Sequence, residues 1–282
     1  MHLPHTFKPS AREACEEILD VLRTEEAGTV TIIALGPLTN ISLAASRDPV
    51  AFARVKEVVI MGGALGVEGN VTPVAEFNVY SDSAAAAHIL ALTSQNPKST
   101  IPAGIEPPPA GTPALNATLI SLDLTHQHLV SWAEFSRATD SPLHEWVKAM
   151  MEKTFAKMKS EYKGDRPEEV EVALHDSLCV FYVLDRARGK WECREGVDVR
   201  VETEGQWTRG MTVVDRRGRR KELDPAAVAG NDHGGWCLEG TGNAVRVVTK
   251  SGVEEKFGWL LMQDIFGLAK REEGAESAAV VE

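Results

Sequence analysis

The stretch from Val30 to Asp82 constrains this chain most, because it sets two short apolar runs, each ending in small residues, ahead of a polar loop. Ile32 to Pro37 runs apolar into a Gly-Pro break, and Leu38-Thr39-Asn40 then begins a helical pattern. Strand, turn and helix in that order form the unit of a parallel α/β sheet. A second run, Val58-Val59-Ile60-Met61, ends in Gly62-Gly63. Both strands finish in small residues at their carboxyl ends, the edge where open α/β sheets place ligands. The loop Asn70 to Asn78 follows, with a carboxylate and two carboxamides that a simple connection does not need.

The remaining elements follow from periodicity. An amphipathic helix over Ala11 to Arg23 opens the chain with Ile18, Leu19 and Leu22 on one face, and no strand precedes it. That is awkward for a parallel sheet, whose covering helices normally follow the strand they cross over from. Helices are expected at Leu38 to Ser46, at Ser83 to Leu92 with Asp82 as N-cap, and at Pro142 to Tyr162. In the last of these Trp146, Met150, Phe155 and Met158 read as a core stripe. Further helices are expected at Ser177 to Ala187 and Val253 to Leu268, and strands at Thr29 to Leu35, Ala117 to Leu124, Val197 to Val201, Thr208 to Val214 and Ala244 to Val248. Gln95 to Pro113, rich in Pro, Ser and Gly, reads as a surface excursion without regular structure. Without a repeat or a dividing linker, residues 1–270 read as one domain, an open, mostly parallel sheet flanked by helices, and 271–282 as a disordered tail.

Composition narrows the function classes. A formal charge of −11 argues against a nucleic-acid polymer as ligand, since such binding needs a basic face to release counterions. The basic cluster Arg216 to Lys221, between Thr212-Val213-Val214 and Leu223, reads as a charged hairpin turn. No apolar segment approaches the length of a membrane span, and the first residues carry no signal-peptide core, which points to a cytoplasmic protein. The four cysteines show no CxxC spacing, so they read as free thiols in a reducing compartment.

Two places carry the residue types of a reaction site. Asn70, Glu76 and Asn78 alternate with Val71, Pro73, Val74 and Phe77. A carboxylate beside two carboxamides suits several hydroxyls at once, offering both donors and acceptors. The plainer reading is a turn whose Asn and Glu side chains cap backbone groups, and spacing alone leans that way. His175-Asp176 stands before a helix, where an imidazole that titrates near neutrality and a hard carboxylate suit proton transfer and a cation such as calcium. Here too the plainer reading, Asp176 as an N-cap and His175 as a structural histidine, is favoured by the residues alone. Thr125-His126 is a similar, weaker pair.

The phrases TIIALGPLTNISLAA, RVKEVVIMGG, GNVTPVAEFNVYSD, LDLTH, LHDSLCV and TRGMTVVD, in this order, resemble the inosine/uridine-preferring nucleoside hydrolases, most closely their fungal-type members. The likeness runs over roughly residues 11 to 268, and the combined order is far more specific than any one phrase. It implies a Rossmann-like core and hydrolysis of the N-glycosidic bond of ribonucleosides, with a calcium ion that positions the attacking water and the ribose diol. It implies that Asn70, Glu76 and Asn78 bind ribose hydroxyls, that Phe77 between them is a substrate contact, and that Met61 lines the ribose pocket. Asp176 and the backbone carbonyl of Leu35 would be calcium ligands, and His175 would protonate or contact the leaving base. The base-contacting segment would fall within Arg137 to Asp165, and the assembly would be a homodimer or homotetramer.

One departure matters as much. Members of the family begin with a strand ending in DxDxGxDD, whose aspartates supply the other calcium carboxylates, bind the ribose diol and include the general base. This sequence contains no such element: its first aspartate, Asp20, lies inside the first helix. On that resemblance the missing portion would correspond to the first strands of the sheet, which would account for a helix with no strand before it. Two readings of activity follow: a ribonucleoside hydrolase impaired by the missing aspartates, or a catalytically inactive remnant that binds ribose or nucleosides.

Overall fold

The computed structural model describes residues 10–136, 141–161, 170–228, 230, 232–253 and 257–266. The proposed tail at 271–282 lies outside them. In chain order the elements begin with α1 (Ala14–Thr24), β1 (Thr31–Ala34), α2 (Thr39–Arg47), α3 (Pro49–Phe52), β2 (Glu57–Met61), α4 (Phe77–Ser81), α5 (Ser83–Ala91) and β3 (Ala117–Ile120). Next come α6 (Leu122–Thr125), β4 (Leu129–Ser131), α7 (Trp132–Phe135), α8 (Pro142–Glu161), β5 (Glu171–Ala173) and α9 (His175–Asp185). The chain closes with β6 (Glu192–Val197), β7 (Val199–Val201), β8 (Thr212–Val214), α10 (Pro225–Val228), β9 (Val245–Lys250) and α11 (Phe257–Phe266). They divide into two compact units, the first running to Leu124 and resuming over Cys179–Gly252, the second comprising Thr125–Leu178 and the chain from Val253.

The first unit holds the expected open sheet, in the order β1-β2-β3-β9-β6. The first four strands are parallel, and β6 pairs antiparallel with β9. All five residues of β2 and all four of β3 are buried, as continuous apolar runs covered on both faces must be. Leu19 and Leu22 of α1, Ile41 and Ala44 of α2, and Ala86 and Ile89 of α5 close over Val58, Ile60 and Leu119 in one core cluster. Each large side chain so buried contributes roughly 1.5–3 kcal/mol. The opening helix therefore earns its place by packing rather than by crossover, and Arg23 with Asp48 at 2.7 Å and Arg47 with Glu16 at 2.8 Å pin it from outside. Glu57, the charged exception in β2, is buried but accepts from Thr118 Oγ1 at 2.6 Å and faces the guanidinium groups of Arg186 and Arg246.

The second unit is a smaller layer. The antiparallel pair β4 and β5 supplies Val130 and Val172, and Phe135, Phe155, Met262 and Phe266 from α7, α8 and α11 pack around them. The stripe expected on α8 holds in its second half, where Phe155 and Met158 face the core, and fails in its first. Trp146 is 63% and Met150 49% exposed, and Val147 and Met151 pack in their place, one residue later and about 100° around the helix.

Other expectations shift for local reasons. The strand expected to continue to Leu124 stops at Ile120, because Leu122 N turns to donate to Gly63 O at 2.9 Å. The basic cluster is an exposed loop and not a hairpin turn, since β8 pairs with β7. Asp82 does cap α5, accepting from Ala85 N at 3.0 Å, and Gln95 to Pro113 holds only the single turn Pro97–Ser99. All four cysteines are free thiols, as expected. Among the described residues no helix is long and apolar enough to cross a membrane.

Candidate functional site

At the carboxyl end of β2 the chain breaks at Gly62-Gly63. Gly63 sits at φ 78°, in the left-handed region that favours glycine, and a Cβ there would meet the Thr212 methyl at 3.0 Å. A break of this kind strands backbone N–H groups. Each N–H from Gly63 to Gly66 finds a side chain distant in sequence. Gly63 N donates to Glu76 Oε2 at 3.0 Å, and Ala64 N to Thr212 Oγ1 at 3.0 Å. Leu65 N and Gly66 N share the two oxygens of Asp123 at 2.8 and 2.6 Å. The Thr212 hydroxyl in turn donates to Ala64 O at 2.7 Å, and Ser121 Oγ donates to Asp123 at 2.8 Å.

The polar loop folds against this turn. Glu76 is buried and is the N-cap of α4, accepting from Asn78 N at 2.8 Å and Val79 N at 3.0 Å besides Gly63 N. Asn70 Oδ1 accepts from Phe77 N at 2.9 Å, and Asn78 Nδ2 donates to Met61 O at 3.2 Å. Asn70 reaches this position because the chain doubles back tightly after Gly69, where a Cβ would run into the backbone of Thr72 and Ala75. Leu35 follows Ala34, whose register partner is Ile60, so it stands level with Met61 on the neighbouring strand.

The structure therefore brings Leu35, Met61, Asn70, Glu76, Phe77 and Asn78 together at one end of the sheet. Phe77 is 55% exposed, whereas Met61, Glu76 and Asn78 are buried. The capping reading of the loop is correct as far as it goes. It leaves capacity over: a carboxylate has roughly four lone-pair sites, of which three N–H groups use three, and each amide is held at only one end. An Asn70 amino group, a Glu76 lone pair and Asn78 Oδ1 then present a donor and two acceptors. Sequence reasoning missed Thr212 and Asp123 as the posts of this site. Their signal was there in Ser121 and Asp123, polar residues set into the apolar run Leu119 to Leu124.

His175 and Asp176 lie in the second unit, in the first turn of α9. Asp176 is the second helical residue, so it is not the N-cap. His175 Nδ1 lies 2.7 Å from Thr125 Oγ1, and the ring of His126 is 5.6 Å away. Burial, with a smaller push from His126, lowers the His175 imidazolium to about 4, so the ring is neutral at pH 7. The neutral ring carries one N–H, and the Thr125 hydroxyl, able to donate or accept, is compatible with it on either nitrogen. Asp176 is exposed, yet desolvation still raises its carboxyl above the usual range. Within Arg137 to Asp165, residues 137–140 and 162–165 lie outside the described residues.

Calcium prefers roughly six to eight oxygens. The two expected ligands, Leu35 O and the Asp176 carboxylate, belong to different units. Among the described residues no group of three or more His, Cys, Asp or Glu side chains could hold a metal, which falls short of that number.

A family model described as inosine-uridine preferring nucleoside hydrolase matches residues 2–255. An uncharacterized protein of Schizosaccharomyces pombe is 34% identical over 218 residues, which cover 75% of this chain and 60% of that protein. An inosine-uridine preferring nucleoside hydrolase of Leishmania major is 34% identical over 239 residues, 83% of this chain and 67% of that enzyme. The solved structure of a plant nucleoside hydrolase superposes with a TM-score of 0.67 at 24% identity, covering 92% of this chain and 68% of its own, a likeness of fold. The chain thus spans about three fifths to two thirds of the length of these curated relatives.

Proposed function

This chain belongs to the inosine-uridine preferring nucleoside hydrolase family, and from that premise we propose that it binds ribonucleosides and serves the hydrolysis of their N-glycosidic bond. In that reaction a water oxygen bonds to the anomeric carbon, the carbon–nitrogen bond breaks, and the base departs with its electron pair and a proton. The observation that carries the reading is the Asn70, Glu76 and Asn78 cluster beside Met61, held by caps on one side with donors and acceptors left over on the other. These groups bind the ribose hydroxyls, and Phe77 offers an exposed ring beside them. His175, neutral at pH 7, contacts the leaving base through its ring rather than holding a stored proton for it. Four free thiols support a cytoplasmic setting, and family likeness supports a homodimer or homotetramer.

Titration calorimetry with inosine, uridine and their 2′-deoxy counterparts tests the binding. Ribonucleosides are expected to bind about tenfold or more tightly than deoxynucleosides, and Asn78→Ala to erase the difference. Equal affinity for the two sugars in the parent chain would refute the assignment. A second reading, binding without turnover, is favoured because no group of three or more His, Cys, Asp or Glu side chains that could hold a metal occurs among the described residues. Ribose release from inosine or uridine separates the two: release by the chain supports hydrolysis, and binding without release supports the second.

A further inference from the structure

At the opposite end of the same strands lies a cavity that the nucleoside reading does not use. It has a volume of about 410 Å³, within the roughly 300–1,000 Å³ of small-molecule sites, and it lies wholly within the first unit. Lys56 and Asn116, which line it, immediately precede β2 and β3. Met61 ends β2 five residues later, about 16 Å away at 3.3 Å per residue. Buried Phe52 and Leu115 form its apolar wall, and the excursion Pro107 to Pro113 lines the other side. Proline fixes φ, so such a wall loses little freedom when something fills it.

Its charge sets it apart from the rest of the molecule. The chain carries a formal −11, yet the residues lining this cavity include two lysines, Lys56 and Lys98, and no acid. Both lysines are exposed, and neither makes an ion pair among the described residues. Prolines have no N–H, so that side of the wall offers few donors, and the lysines are the strong ones. An apolar wall with two uncommitted ammonium groups favours a ligand with one apolar body and one anionic head. Simple anions would lack the first, and apolar compounds the second.

We propose that this cavity binds a small amphipathic organic anion, an aryl or alkyl carboxylate, sulfonate or phosphate, with its apolar body against Phe52 and Leu115 and its head at Lys56 and Lys98. The test is fluorescence titration of the full chain with anilinonaphthalene sulfonate, in parallel with its neutral counterpart phenylnaphthylamine. Lys56→Glu/Lys98→Glu, both on the surface, should weaken sulfonate binding about tenfold or more and leave the neutral dye unchanged. Ala114→Trp, which fills the cavity from its exposed loop, should abolish binding of both dyes. Lys148→Glu/Lys153→Glu on α8 makes the same change in net charge and should alter neither. The inference is overturned if the parent chain binds no sulfonate dye, if the cavity pair has no effect, if the α8 pair has the same effect, or if millimolar inorganic phosphate displaces the dye.

Discussion

Glu76 and Asn70 illustrate how one side chain can be both a cap and a ligand. The three N–H groups that Glu76 accepts come from the turn after β2 and the first turn of α4, so its carboxylate joins the two segments while one lone-pair site stays open. Glu76→Ala strands those donors in a buried place and is expected to cost about 3 kcal/mol in urea unfolding, more than an ordinary cap. Gly69 acts only through space. Its Cβ would collide with the Thr72 and Ala75 backbone, so Gly69→Ala must open the turn that carries Asn70 to Phe77 N. Because the clash is with backbone, the melting temperature should fall somewhat, and ribonucleoside affinity measured well below the transition should fall about tenfold. A variant that keeps full affinity would show that Asn70 is not a ribose ligand.

Between elements, the buried contact of α2 and α5 carries a titratable pair. His88 of α5 lies with Nδ1 2.8 Å from Ser42 Oγ of α2, only 2% exposed, and burial lowers its imidazolium from 6.5 to about 4. Below pH 6.5 the unfolded chain takes a proton that the folded chain refuses, so this contribution is complete above 6.5 and is lost as pH falls through about 4. The shift corresponds to about 3 kcal/mol. Urea unfolding at pH 7 and pH 4 should show a loss that His88→Gln reduces by that order, and an unchanged loss would remove His88 as its source. On α8, Phe155→Ala should cost about 3–4 kcal/mol and Trp146→Ser under about 0.5 kcal/mol, whereas a stripe through Trp146 requires a large cost at both. Elements with a continuous apolar run, such as β2, or a capped periodic one, such as α5, were legible in the sequence to within a residue or two. β6 was not, because Glu192, Arg194 and Glu195 hide the alternation of an edge strand that carries bulges. Three-residue β4 and β5 have too few positions for any period to register. The end of β3 was misread because Ser121 and Asp123 serve the turn at Gly63 to Gly66, a partner that no local window contains. For the site the same limit held: the ribose loop was visible as a cluster of residue types, but the posts that fix the turn beside it bond across 58 and 148 residues of chain.

For the whole molecule the open question is how far binding depends on calcium. A hard cation is held by the number and charge of its oxygens, and affinities span from nanomolar to millimolar as these change. Among the described residues no group of three or more His, Cys, Asp or Glu side chains is gathered to hold one. Desolvation raises the Asp176 carboxyl above its usual range, although its exposure keeps it within reach of an ion. Calorimetry on the chain should therefore show calcium binding no tighter than about millimolar. Asn70, Glu76 and Asn78 are oriented by backbone N–H and C=O groups, with the Met61 sulfur beside the Asn78 amide at 3.3 Å, and none of these contacts needs a cation. Ribonucleoside affinity should accordingly be the same, within about twofold, in excess calcium and in excess chelator. A micromolar calcium affinity, or a nucleoside affinity that collapses on chelation, would mean that other oxygens complete the site and that metal and sugar bind as one unit.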